Sequence, residues 1–234
     1  IDRSRGLGDV YKRQSPDGAR IALVTEAPQI EVLDFNSRAV VATLEGHTNS
    51  VGFLRYSRDG RRIYTSSSRD GTFRVWDASS GDELAALSRP GADYVRAVAV
   101  SDDDRLCVRA RKDATLEVWD LAKAEVVREV SVATDERLLS VDFGPGGAWF
   151  ATSWYDEVIR VFDAATGEML RAFDESSGGP GARLGNLRVS PDGTLLAGSN
   201  GNKLLICDAK SGALLRRCLG PVSYTHLRAH ETDR

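Results

Sequence analysis

His47, Ser66 and Asp70 are the residue types of nucleophilic acyl transfer: a hydroxyl to attack, an imidazole to take its proton and a carboxylate to orient the imidazole. Their setting argues against that use. Ser66 falls in a strand-like alternation rather than on a G-x-S-x-G elbow, and no glycine-rich segment stands where an oxyanion hole would be. A buried indole N–H, hydroxyl, imidazole and carboxylate each need a partner, and such groups can satisfy one another in a network that stiffens the chain. Asp102, Asp103 and Asp104 are consecutive in a hairpin turn, so their carboxylates alternate in direction and cannot converge on one cation; a solvated turn is expected. Arg109, close to Arg111 and Lys112, reads as part of a solvated strand edge. Cys107 and Cys207 fall on strand positions that pack and read as small hydrophobes rather than redox groups. There is no phosphate-binding loop, dinucleotide fingerprint or Cys-x-x-Cys pair, so no metal or cofactor is expected.

The two termini are related to each other. Asp9–Gln14 (DVYKRQ) can be encoded by GAT GTG TAT AAG AGA CAG. The reverse complement, read one base out of frame, encodes PVSYTH, which is Pro221–His226. One DNA element in two orientations therefore flanks residues 15–220, and it resembles the transposon-end tag of sequencing-library preparation. Residues 1–14 and 221–234 are accordingly expected to be non-native, disordered tags. Setting them aside removes the Gly6–Gly8 phosphate-loop decoy and a metal reading of His226, His230 and Glu231, and leaves His47 as the one remaining histidine. Paired-histidine zinc chemistry is thereby excluded.

The chain has 234 residues, 41% hydrophobic and 28% charged, which is globular composition with enough length for a core. The apolar runs are too short for a membrane span. Residues 15–220 carry a net charge of -5, without the basic footprint of a nucleic-acid or membrane binder. Three scattered cysteines do not make a disulfide framework. A cytoplasmic protein with protein or peptide partners is expected.

The elements that position these residues follow from an internal repeat. Turn signals begin at Ser15, Ser57, Ser101, Gly144 and Ser190, at spacings of 42, 44, 43 and 46 residues. An apolar residue followed by aspartate keeps step at Asp34, Asp77, Asp120, Asp163 and Asp208, at spacings of 43, 43, 43 and 45. Between these landmarks the apolar residues alternate with period two, as in Leu54 and Tyr56 or Val98 and Val100, which predicts strands. Four short strands per unit make one propeller blade. The units are 15–46, 47–90, 91–134, 135–180 and 181–220, the first lacking its opening strand.

The period, the Gly46-His47 pair and the Trp76-Asp77 ending resemble the WD-repeat β-propeller family, and Gly46–Asp77 carries its pattern almost throughout. The other units drift: Phe162 and Cys207 stand where Trp is expected. The resemblance implies an all-β fold of about 4.75 blades, forming an open arc or incomplete ring, since closed propellers have about 4–8 blades. It implies that His47, Ser66, Asp70 and Trp76 form the hydrogen-bonded tetrad that braces a blade, with Asp113 and Trp119, and Thr152 and Asp156, as partial versions. It implies a non-catalytic interaction scaffold or sensor module of a larger protein. Its partner-binding loop face would carry Arg69, Arg111, Lys112, Trp154 and Tyr155, near the glycine-rich loop 174–183. Aromatic and arginine residues in loops suit hot spots, although Trp154 equally fits packing between blades. The alternative is an enzymatic or ligand-binding propeller of the quinoprotein or TolB-like kind.

Overall fold

A computed structural model of the chain describes residues 12–25, 28–88, 97–134, 136–174 and 179–219. Within them the chain is all-β, with one short 3-10 turn at Pro145–Gly147. The first sheet is β1 (Lys12–Gln14), β2 (Arg20–Val24), β3 (Ile30–Asp34) and β4 (Val40–Leu44). The second is β5 (Phe53–Tyr56), β6 (Arg62–Ser66), β7 (Phe73–Asp77) and β8 (Glu83–Leu87). The third is β9 (Val98–Val100), β10 (Leu106–Ala110), β11 (Thr115–Asp120) and β12 (Glu125–Ser131). The fourth is β13 (Leu138–Phe143), β14 (Trp149–Trp154), β15 (Ile159–Asp163) and β16 (Met169–Phe173). The fifth is β17 (Gly185–Val189), β18 (Leu195–Asn200), β19 (Lys203–Asp208) and β20 (Leu214–Leu219). Each is an antiparallel meander in chain order, the form of a propeller blade.

The first blade has four strands, not three. Its opening strand lies inside the segment read as a disordered tag, with Lys12, Arg13 and Gln14 opposite Leu23, Ala22 and Ile21. Ladder hydrogen bonds use main-chain groups that every residue but proline supplies, so an edge position accepts such a sequence. Residues 1–11 and 220–234, with the GLG, His226 and His230 decoys, lie outside the described residues, as does part of the loop 174–183.

Two recurring turns set the register. Ser15, Ser57, Ser101 and Ser190 each donate a hydroxyl to the aspartate two residues on and accept the N–H five residues on, closing the hairpin into the second strand. Asp34, Asp77, Asp120, Asp163 and Asp208 end the third strands, and each Oδ1 accepts the N–H groups two and three residues ahead. The apolar-Asp landmark is therefore a turn cap. At Gly81, in the second of these caps, φ is +83° and a Cβ would sit 2.6 Å from the Thr43 carbonyl of β4, so only glycine fits.

The core lies between blades. Ile30, Val32 and Leu44 pack with Leu54, Tyr56, Ile63 and Trp76. Ile159, Val161 and Phe173 pack with Leu184, Leu187, Leu196, Leu205 and Cys207. Full burial of each such aliphatic side chain contributes about 1.5–3 kcal/mol. Cys107 and Cys207 are free and buried, and burial pushes the Cys207 thiol up to about 11. Two compact units result, one holding the chain to Val98 with Trp119–Val127, the other Ala99–Val118 and the chain from Arg128 onward.

Candidate functional site

In the second blade the polar network runs through Thr65. Trp76 Nε1 donates to Thr65 Oγ1 at 2.7 Å, and Thr65 lies 2.8 Å from His47 Nε2. His47 Nδ1 lies 2.6 Å from Asp70 Oδ2, and Asp70 Oδ1 accepts the Thr72 N–H and hydroxyl. An ionised carboxylate only accepts, so Nδ1 carries the proton and Nε2 accepts from the Thr65 hydroxyl. Burial lowers the His47 pKa, against the opposing pull of Asp70. Burial raises the Asp70 pKa, but hydrogen bonds from Thr72 and His47 outweigh it and leave it lowered. Gly46 is small because a side chain there would run into the Arg74 guanidinium, which also pairs with Glu83, and into the Trp76 ring.

Ser66 is not in this network, which corrects the expected tetrad. Thr65 pairs with Arg74 on the His47 side of the sheet, while Ser66 pairs with Phe73 on the opposite face and donates to the Thr72 carbonyl at 3.1 Å. In a strand a slip of one residue changes faces. Both His47 ring nitrogens are engaged, so the hydroxyl and imidazole do not form a nucleophile–base pair.

The same column recurs in changed form. In the third blade Arg109 takes the place of Thr65. Rather than lying on a solvated edge it is 1% exposed, with Nε 2.6 Å from Glu117 Oε2, itself 0% exposed. Arg111 continues the ladder to Glu117 and to Asp113, at 3.8 and 3.2 Å. In the fourth blade Thr134 stands in the histidine's place, donating to Asp156 at 3.2 Å, and Arg160 grips both Asp156 oxygens. The indole comes from a new position: Trp154 Nε1 donates to Thr152 Oγ1 at 2.9 Å.

Trp154 is therefore 1% exposed and belongs to the brace, not to a binding face. Arg69 is exposed in the β6–β7 turn of the first unit. In the second unit Lys112 is exposed and Arg111 is half-buried in its ladder. Tyr155 is half-buried and sits in a cluster the sequence reading missed. Its N–H donates to the Arg137 carbonyl at 2.9 Å and its carbonyl accepts Arg183 Nε at 3.1 Å. The guanidinium carbons of Arg137 and Arg183 lie 5.1 and 5.0 Å from the centre of its ring. Glu157 Oε1 is 3.7 Å from Arg183 Nε. The signal for Arg137 and Arg183 was their placement just ahead of Leu138 and Leu184, where the chain enters β13 and β17. Among the described residues no group of three or more His, Cys, Asp or Glu side chains is placed to hold a metal ion.

Residues 38–77 match the family described as WD domain, G-beta repeat. The chain is 36% identical over 100 residues to nuclear distribution protein nudF of Aspergillus niger, covering 42% of this chain and 22% of that protein. It is 26% identical over 171 residues to the guanine nucleotide-binding protein subunit beta of Oryza sativa subsp. japonica, covering 68% and 45%. It is 22% identical over 166 residues to the COMPASS component SWD3 of Saccharomyces cerevisiae, covering 68% and 52%. The chain thus spans about a fifth to a half of these relatives. Residues 38–77 match one repeat of the WD-repeat family, and the five repeated four-stranded blades and the braced second blade make the chain similar to that family's propellers.

Proposed function

We propose that the chain is a non-catalytic protein-interaction module of a larger WD-repeat protein, and that in its second unit the partner is taken at Tyr155. The observation that carries this reading is the Arg137–Tyr155–Arg183 cluster, in which two exposed arginines from the entries to β13 and β17 meet the aromatic ring that follows β14. Tyrosine and arginine bring large contact area and directional donors at modest entropic cost. His47 and Asp70 are engaged in the second-blade brace and Ser66 lies on the opposite face of the sheet, which favours binding over chemistry. Two relatives are named as a subunit and as a component, a role in assemblies that fits the same reading.

The test uses the purified full chain and its Tyr155→Ala variant as immobilised baits, with retained proteins identified by mass spectrometry. A stoichiometric partner held by the first and lost by the second, at unchanged circular dichroism, is the expected outcome. Identical retained sets would overturn the reading.

A further inference from the structure

Glu157 adopts φ +66°, a left-handed conformation that favours glycine; the matching turn position of the second blade is Gly71, at φ +70°. The turn is held in this shape from beneath. Asp156 accepts the Val158 N–H and is bound by Thr134 and by both Arg160 nitrogens, and the Arg160 guanidinium carbon lies 5.8 Å from the centre of the Trp154 ring. The matching position of the third blade, Ala114, has φ +62°, so the left-handed turn is shared by the blades, and in the fourth it carries a charged side chain where glycine would fit best.

The Glu157 carboxylate lies beside Arg183, whose Nε donates to the Tyr155 carbonyl. The side chain of Arg183 is 56% exposed. Arg137 is likewise exposed and fixed over the same ring. Free arginines lose considerable rotamer freedom on binding; here Tyr155 and Glu157 have already ordered them. Two ordered guanidinium forks match the planar, bidentate geometry of a carboxylate.

We propose that Arg137, Tyr155, Arg183 and Glu157 form an anchor for the side-chain carboxylates of an acidic peptide segment, the guanidinium groups reading the carboxylates and Glu157 holding Arg183 in register. This rests on the interaction reading above and names the partner's chemistry.

The test is fluorescence anisotropy of the full chain with a labelled peptide of alternating Glu and Asp, against its Gln/Asn counterpart and a Lys peptide. Binding is expected for the acidic peptide alone, weakening as salt is raised, because exposed charges are screened. Arg137→Gln and Arg183→Gln should each weaken it by about tenfold, and Lys210→Gln should not. Glu157→Gly should raise the melting temperature while weakening binding, which a merely structural turn would not do. Equal affinity for the acidic and Gln/Asn peptides, or no effect of either arginine change, would overturn the anchor. A partner that is retained through Tyr155 but not displaced by the acidic peptide would overturn the anchor and leave the interaction reading standing. Loss of both would sink the two together.

Discussion

Thr65 and Ser66 are neighbours with the same functional group, and strand geometry gives them different roles. Thr65 Oγ1 both accepts the Trp76 indole proton and reaches His47, so Thr65→Val leaves two buried polar groups without a partner. Each costs about 1–3 kcal/mol. Ser66→Ala removes only one contact, to the Thr72 carbonyl, and should cost about 1 kcal/mol or less. Urea unfolding of both variants checks this; the reverse order would return Ser66 to the brace. The network also fixes a pH dependence. Burial holds the His47 pKa below its unfolded value of about 6.5, so the folded state binds fewer protons there. Its stabilising contribution is full above that pH and falls as the pH drops through it. The wild-type melting temperature should therefore decline from pH 7.5 to 5.5, and His47→Gln should be less stable at pH 7.5 but show a shallower decline. A decline of equal steepness in the variant would count against the assignment. His47, Asp70 and Trp76 were legible because their types are rare and their spacing matched the family. The hydroxyl was not, because two adjacent candidates lay on opposite faces and spacing alone does not choose a face.

At the scale of strands, the third blade shows what becomes of a brace whose hydroxyl is replaced. Arg109 and Glu117 are both buried and joined at 2.6 Å, so the pair holds only while both members are present. Removing one member of a buried ion pair costs about 3–5 kcal/mol, whereas replacing both with apolar residues of similar volume is often close to neutral. Glu117→Leu should thus destabilise strongly, and Arg109→Met with Glu117→Leu should recover most of the loss. A double variant whose cost equals the sum of the two single ones would show that the pair does not act as a unit. A sequence reading places Arg109 on an exposed edge because arginine is seldom buried. Its partner sits on the next strand, eight residues away, and only the register brings them together. The same limit explains Trp154. An aromatic beside a turn looks available, but Phe162 has no donor to offer the brace, and Trp154 supplies one to Thr152, two residues earlier on the same strand.

Across the whole molecule the repeat was the most legible feature, because every blade has the aspartate cap and four of the five have the serine turn, and turn residues are where types are most restricted. The opening strand β1 was not, since main-chain pairing leaves no mark in side-chain pattern. These turns distribute acid sensitivity along the chain. Hydrogen bonds from Ser79 and Ser80 bring Asp77 down to about 2, and those from Ser190 and Thr194 do the same for Asp192. Asp34, Asp163 and Asp208 in the caps, and Asp17 and Asp59 in the serine turns, are lowered by the same kind of bond. For such carboxylates the folded pKa lies below the unfolded value of about 3.9, so their contribution is complete above that pH and is lost as acid protonates the folded form. This window is separate from that of His47. The urea midpoint should decline in two stages, one beginning below about pH 6.5 that His47→Gln reduces, and a second from about pH 4 to pH 2 that it leaves intact. Because the second stage is spread over several blades, Asp77→Asn should reduce it only in part. If Asp77→Asn alone abolished it, acid sensitivity would reside in the second blade rather than in the turns the repeats share.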